Sequence, residues 1–68
     1  MNEDNLNLEI RKFLKKVGIS SQRFLEKHIN ESVKDGSLKL GQEVELEMKL
    51  TVNYSTKEHL ISDKIKID

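Results

Sequence analysis

The stretch "LKKVGISSQRFLEKHI", residues 14–29, decides how many helices the chain contains. Gly18 follows an apolar stripe, and glycine often takes the left-handed conformation that ends a helix. Ser20 is a favourable N-cap for a new helix, and Ile19 and Phe24 fit the hydrophobic staple around such a cap. The stretch therefore predicts two helices joined by a glycine turn, over residues 4–17 and 20–35.

Both predicted helices have apolar residues at steps of three and four, the spacing of one helix face. Asp4 or Asn5 is placed to cap the start of the first helix, and Gly36 is placed to end the second. The stripe of the first helix consists of Leu6, Ile10, Phe13, Leu14 and Val17, and that of the second consists of Phe24, Leu25, Ile29 and Val33.

The period changes to two after the connector "GSLKLG", residues 36–41. Alternation in "EVELEMKLTVNY", residues 43–54, is typical of a half-buried antiparallel strand, and "HLISDKIKI", residues 59–67, predicts a second, more polar strand. If paired residue numbers sum to 111, Glu47 faces Lys64 and Glu45 faces Lys66, with residues 54–57 as the turn. A sum of 113 would oppose Lys49 and Lys64, which repel each other.

Asp63 falls on the apolar face of this hairpin, opposite Met48 in the 111 register. A lone buried carboxylate is costly. A β-bulge around Ser62–Asp63 and exposure at a sheet margin are two structural explanations, and a functional carboxylate is the alternative to both.

The composition limits the kinds of bonds, metal sites and catalytic motifs that this chain can form. Its 68 residues predict one small α+β domain, 1–68, and the absence of cysteine excludes disulfides and thiolate metal sites. The two histidines lack metal-ligand spacing, and no glycine-rich phosphate loop, GxSxG or HExxH motif is present. We therefore expect a protein that is not an enzyme and holds no metal or cofactor.

The predicted fold is ααββ, with two amphipathic helices packed on one face of an antiparallel hairpin. A two-stranded hairpin is marginal in water, and both of its edges carry free backbone groups. Pairing of two hairpins across a two-fold axis would give a four-stranded sheet, so we expect a homodimer. The same edge, or the acidic run at Glu43, Glu45 and Glu47, could instead bind another protein.

Nucleic-acid binding is the alternative function. Residues 11–27 hold a local excess of positive charge, and two helices joined by a glycine turn resemble a helix-turn-helix motif. A net charge of zero, the bulky Leu14 on the first helix and the lack of a third helix argue against it. Alignment of the basic residues on one face would favour it. The candidate contacts are Lys12, Lys15, Lys16, Gln22, Arg23 and Lys27.

The N-terminal "MNEDNLNLEI" lacks the basic start and apolar core of a signal peptide. No apolar run approaches the roughly 18 residues of a membrane span. The expectation is a cytoplasmic protein that does not associate with membranes.

Residues 1–29 resemble the opening of a family of very short, uncharacterised bacterial proteins. The resemblance is carried by the "MNED" start, the "IRKFL" and "VG" segments of residues 10–18 and the "SQR" of residues 21–23, and it is looser over the hairpin. It implies helices followed by strands and no assigned activity. Asp63 stands where the family has glycine, which agrees with a bulge at that position.

Overall fold

The computed structural model describes all of residues 1–68, which divide into two compact units, Met1–Ser37 and Leu38–Asp68. The first unit is one helix, α1 (Glu3–Lys34), and the second is an antiparallel hairpin of β1 (Glu43–Thr51) and β2 (Glu58–Lys66). The chain is thus a mixed α+β protein with the order αββ. The prediction of two helices on a hairpin is wrong.

α1 passes through Gly18 without a break. Positive φ angles occur only at Gly36 and Gly41, so Gly18 does not adopt the left-handed conformation of a helix end. A glycine inside a helix costs only about 1 kcal/mol relative to alanine, and the chain contains no proline that would force a stop. Phe13 and Phe24 are also about three turns apart, so the two predicted stripes form one continuous face.

The two ends of α1 show which cap predictions hold. The backbone N–H of Asn5 donates to Oδ1 of Asn2 at 3.1 Å, so Asn2 is the N-cap, rather than Asp4 or Asn5 as predicted. At the other end Gly36 has φ +85°, and its N–H donates to the carbonyl oxygen of Val33 at 3.3 Å. The prediction that Gly36 ends the helix is confirmed.

The strands pair two residues away from the predicted register. Paired numbers sum to 109, with Glu45 opposite Lys64 and Glu43 opposite Lys66, so the 111 register is wrong. The connection between the strands spans residues 52–57, in place of a turn at 54–57. Both registers keep the apolar residues on one face and oppose glutamate to lysine, and therefore face and charge patterns do not separate them.

A glycine bulge at the start of β1 is associated with the observed register. Gly41 has φ +88°, and its N–H donates to the carbonyl oxygen of Ile67 at 2.5 Å, while the N–H of Ile67 donates to Gln42 at 2.9 Å. Two residues thus face one, which is the arrangement of a G1 bulge, where glycine supplies the positive φ. Ile67 is also the only buried hydrophobic residue.

The predicted alternation is confirmed in the first half of β1, where Val44 and Leu46 are half-buried and the intervening glutamates exposed, whereas every residue from Glu47 to Thr51 is exposed. Asp63 lies opposite Leu46 in an unbroken ladder, so the predicted bulge at Ser62–Asp63 is wrong. Its side chain is exposed, and Oδ1 accepts the N–H of Lys64 at 2.8 Å. Exposure is the explanation that the structure supports.

Candidate interaction surfaces

The apolar stripe of α1 is exposed at many of its residues, while Val17, Leu25, Ile29 and Val33 are half-buried. Phe13 is 53% exposed and Phe24 is 66% exposed, and the ring of His28 stacks on Phe24 with centroids 5.7 Å apart. An isolated helix cannot bury such a stripe within itself. The other exposed members of the stripe are Leu6, Ile10 and Leu14.

A basic row runs along another face of α1. At about 100° per residue, Lys12, Lys16, Arg23 and Lys27 fall within a sector of roughly 60°. Lys15 lies outside this sector, but its side chain reaches the same shallow groove. The groove is lined by Lys12, Lys15, Lys16, Ile19, Ser20 and Arg23.

The remaining predicted contact, Gln22, does not join this row. Its Nε2 donates to Oε1 of Glu26 at 2.8 Å along the helix. Within the row, Lys12 lies 3.6 Å from Glu9, an exposed pair of little energetic weight. Since α1 has no turn at Gly18, the predicted helix-turn-helix geometry is wrong, although the basic side chains themselves are brought together.

The hairpin has one charged face and one apolar face. On the charged face, Nζ of Lys64 lies 3.9 Å from Oε1 of Glu45, and Nζ of Lys49 lies 2.5 Å from Oε2 of Glu58. On the apolar face Met48 is 41% exposed and its pairing partner Ile61 is 55% exposed. Val44, Leu46 and Ile65 on the same face are half-buried.

Each strand of the hairpin has one neighbour and therefore one open edge. The backbone N–H and C=O groups along such an edge can accept another strand. The sequence predicted these edges correctly, because two short strands cannot cover both sides of each other.

Reactive chemistry is sparse on these surfaces. No group of three His, Asp or Glu residues lies close enough to hold a metal ion.

Asp35, at the end of α1, has a pKa below its ordinary value because the hydroxyl of Ser37 and then the N–H of Ser37 donate to its carboxylate. This motif was not predicted, although "DGS" after a helical stripe, residues 35–37, is the signal that indicates it.

The sequence matches the model of a family of unknown function, DUF6494, over residues 1–68. The chain belongs to this family. The resemblance seen in residues 1–29 is thereby confirmed, and it brings no assigned activity. No curated protein and no solved structure matches the chain. The structure contains no helix that combines the length and apolar character needed to cross a membrane.

Proposed function

We propose that the protein is a non-enzymatic cytoplasmic protein that acts through association, and that its functional form is a homodimer. The observation that carries the proposal is the exposure of the apolar residues. Ile67 alone is buried, while Phe13, Phe24 and Ile61 are each more than half exposed. Clusters of exposed apolar side chains mark interaction sites in folded proteins.

The physics of each unit supports association. Most of the stability of a protein helix comes from packing its amphipathic face, and an isolated hairpin is marginal in water. Disulfides are absent from this chain, and no metal cluster forms, which removes two of the usual sources of stability for small domains. Oligomerisation is the remaining source, and a second copy is a partner that is always available.

The solution mass tests this proposal. Sedimentation equilibrium over a concentration series is expected to give twice the chain mass of 7.9 kDa at high concentration. Phe24→Ser should shift the equilibrium toward the monomer, because it removes the most exposed aromatic ring of the stripe. Ile19→Ser is the matched control: Ile19 is 44% exposed but lies on the opposite side of α1, so its loss should leave the mass unchanged. A monomer at every concentration would contradict the proposal.

Binding of nucleic acid is the second candidate, and the alignment of Lys12, Lys16, Arg23 and Lys27 on one face of a continuous helix favours it. Such a row could neutralise successive phosphates, and that binding would weaken steeply with added salt. An amide NMR titration with duplex DNA at low salt should then shift residues along the row, with reversal by salt. A variant with Lys16→Gln and Arg23→Gln should lose the shifts, whereas Lys39→Gln and Lys57→Gln outside the helix should keep them. Absence of shifts at excess duplex would rule out this candidate.

A further inference from the structure

The open edge of β1 presents a defined set of backbone groups. The N–H of Ile67 donates to Gln42, so positions 42 and 67 form a hydrogen-bonded pair at the end of the ladder. Hydrogen-bonded and non-hydrogen-bonded pairs alternate along an antiparallel ladder. The even-numbered residues of β1 therefore bond to β2. The odd-numbered residues, including Glu45, Glu47 and Lys49, direct their N–H and C=O groups toward the open edge.

We propose that two copies of the chain join along this edge, β1 against β1 and antiparallel, with the two-fold axis at Met48. This inference rests on the proposed homodimer and adds a strand junction to the contact expected from the apolar stripe of α1. Paired numbers across the junction then sum to 96. Glu47 of one protomer lies opposite the partner's Lys49, and Lys49 lies opposite the partner's Glu47.

Charge complementarity selects this register. Shifting the two-fold axis by one residue to Glu47 would put that residue opposite its own copy, which is repulsive. With the axis at Met48, the charged face gains two Glu–Lys pairs. These are hydrogen-bonded positions of the new ladder, because the odd-numbered residues point outward.

The apolar face is self-complementary in the same register. Leu46 lies opposite the partner's Leu50, and Met48 lies opposite the partner's Met48. Because each pair shares a face, the apolar faces of both hairpins merge into one side of a four-stranded sheet. The strand order is β2-β1-β1-β2.

The edge of β2 competes for the same role. An axis at Ile61 would place Glu58 opposite the partner's Lys64, which is also a favourable charge pair. That arrangement, however, puts Asp63 of each copy on the two central strands of the merged apolar face, opposite the partner's His59, whereas the β1 junction leaves Asp63 on the two outer strands. A charge that points inward is one of the devices by which natural edge strands avoid pairing. Asp63 is exposed and forms no ion pair in the structure. Its charge therefore disfavours pairing along the β2 edge, which leaves β1 as the joining strand.

Disulfide trapping distinguishes the two edges, since the chain has no cysteine of its own. Met48→Cys should give a disulfide-linked dimer in a redox buffer, because a self-opposed, non-hydrogen-bonded pair has Cα atoms about 4.5 Å apart, within disulfide range. Ile61→Cys is the matched control: it lies directly opposite Met48 in the hairpin and is at least as exposed. It should remain a thiol. A linked dimer from Ile61→Cys would overturn the inference in favour of the β2 edge.

Charge reversal provides a test without cysteine. Glu47 lies opposite Ser62 within the hairpin, so Glu47→Lys removes no opposed charge pair there. At the junction, the new lysine lies opposite the partner's Lys49, and the two-fold axis repeats this repulsive pair. The dimer dissociation constant should rise about tenfold. Glu26→Lys in α1, the same charge change on the side of the helix opposite Phe24, should leave it unaltered. An equal mixture of Glu47→Lys and Lys49→Glu chains should dimerise more tightly than either variant alone, because each pair between the two different chains is again opposite in charge.

The outcomes separate this inference from the proposed function. A monomeric wild-type chain would overturn both. A dimer of the expected mass that neither forms the Met48→Cys disulfide nor responds to Glu47→Lys would leave the homodimer standing and refute the β1 junction. Trapping at Met48 alone, together with recovery in the mixture, would establish the junction.

Discussion

The helix and the hairpin of this protein differ in how their geometry is fixed. Each hydrogen bond of α1 joins residues four apart, so the helix continues wherever the local residues permit it, including Gly18. The hairpin is set by contacts between residues far apart in sequence, and a slip of two positions keeps every face intact. The helix-ending tendency of Gly18 is thus overridden by its neighbours, whereas the register of the hairpin goes with a few specific residues, Gly41 and Ile67 among them.

The largest effect is expected from a variant that interrupts α1 at its centre and so tests whether the helix is continuous. Gly18→Pro should destabilise the helix by about 3 kcal/mol or more, since proline removes a backbone donor and clashes with the preceding turn. The helical circular dichroism of the chain should fall accordingly. Glu3→Pro, at the first helical position after the Asn2 cap, should have little effect, because proline is favoured there. If residues 18–19 formed a turn, the two variants would behave alike.

Alanine substitutions at Gly18 and Gly36 distinguish a glycine inside the helix from a glycine that ends it. A Cβ at either position would meet no atom within 4 Å, so the backbone conformation alone decides the effect of a side chain. Gly18→Ala should stabilise the fold by about 1 kcal/mol, as alanine is the better helix former. Gly36→Ala should destabilise it by about 1–2 kcal/mol, because φ +85° is unfavourable for an L-residue. Urea unfolding measures both, and equal signs would contradict the assignment of Gly18 to a helix interior.

Sequence reasoning predicted the elements of this fold better than their limits. The periodicities of residues 4–17, 20–35 and 43–54 were sufficient to assign helix and strand, and Gly36 was a correct stop. Gly18 was misjudged because a helix end needs positive φ, which the sequence does not display. The detectable signal was the phase of the stripe, since Phe13–Leu14 recurs at Phe24–Leu25 on the same face.

The hairpin register was missed for a different reason. Cross-strand charge pairs such as Glu45 with Lys64 are available in more than one register, and each is worth only a fraction of a kcal/mol. The bulge at Gly41, paired with the buried Ile67, is a more specific marker. The alignment of Lys12, Lys16, Arg23 and Lys27 on one face depends on α1 being continuous, and two separate predicted helices could not reveal it.

The end of α1 offers the smallest and most local effect. The hydroxyl of Ser37 donates to Oδ1 of Asp35 at 2.6 Å and its N–H donates at 2.9 Å, which together hold the pKa of Asp35 below its ordinary value. A lowered pKa in the folded state means that the stabilisation is present above the unfolded pKa and is lost as the pH falls through the folded value.

Ser37→Ala should therefore raise the pKa of Asp35 toward its ordinary value, since the hydroxyl bond is the largest cause of the shift. The carboxyl carbon resonance of Asp35, followed by NMR against pH, measures this change. Ser55→Ala removes a comparable hydroxyl from the hairpin connection and should leave that titration unaltered. An unchanged pKa in Ser37→Ala would mean that the backbone N–H alone holds the carboxylate. The helix end would then depend on backbone geometry, as the bulge at Gly41 does in the hairpin.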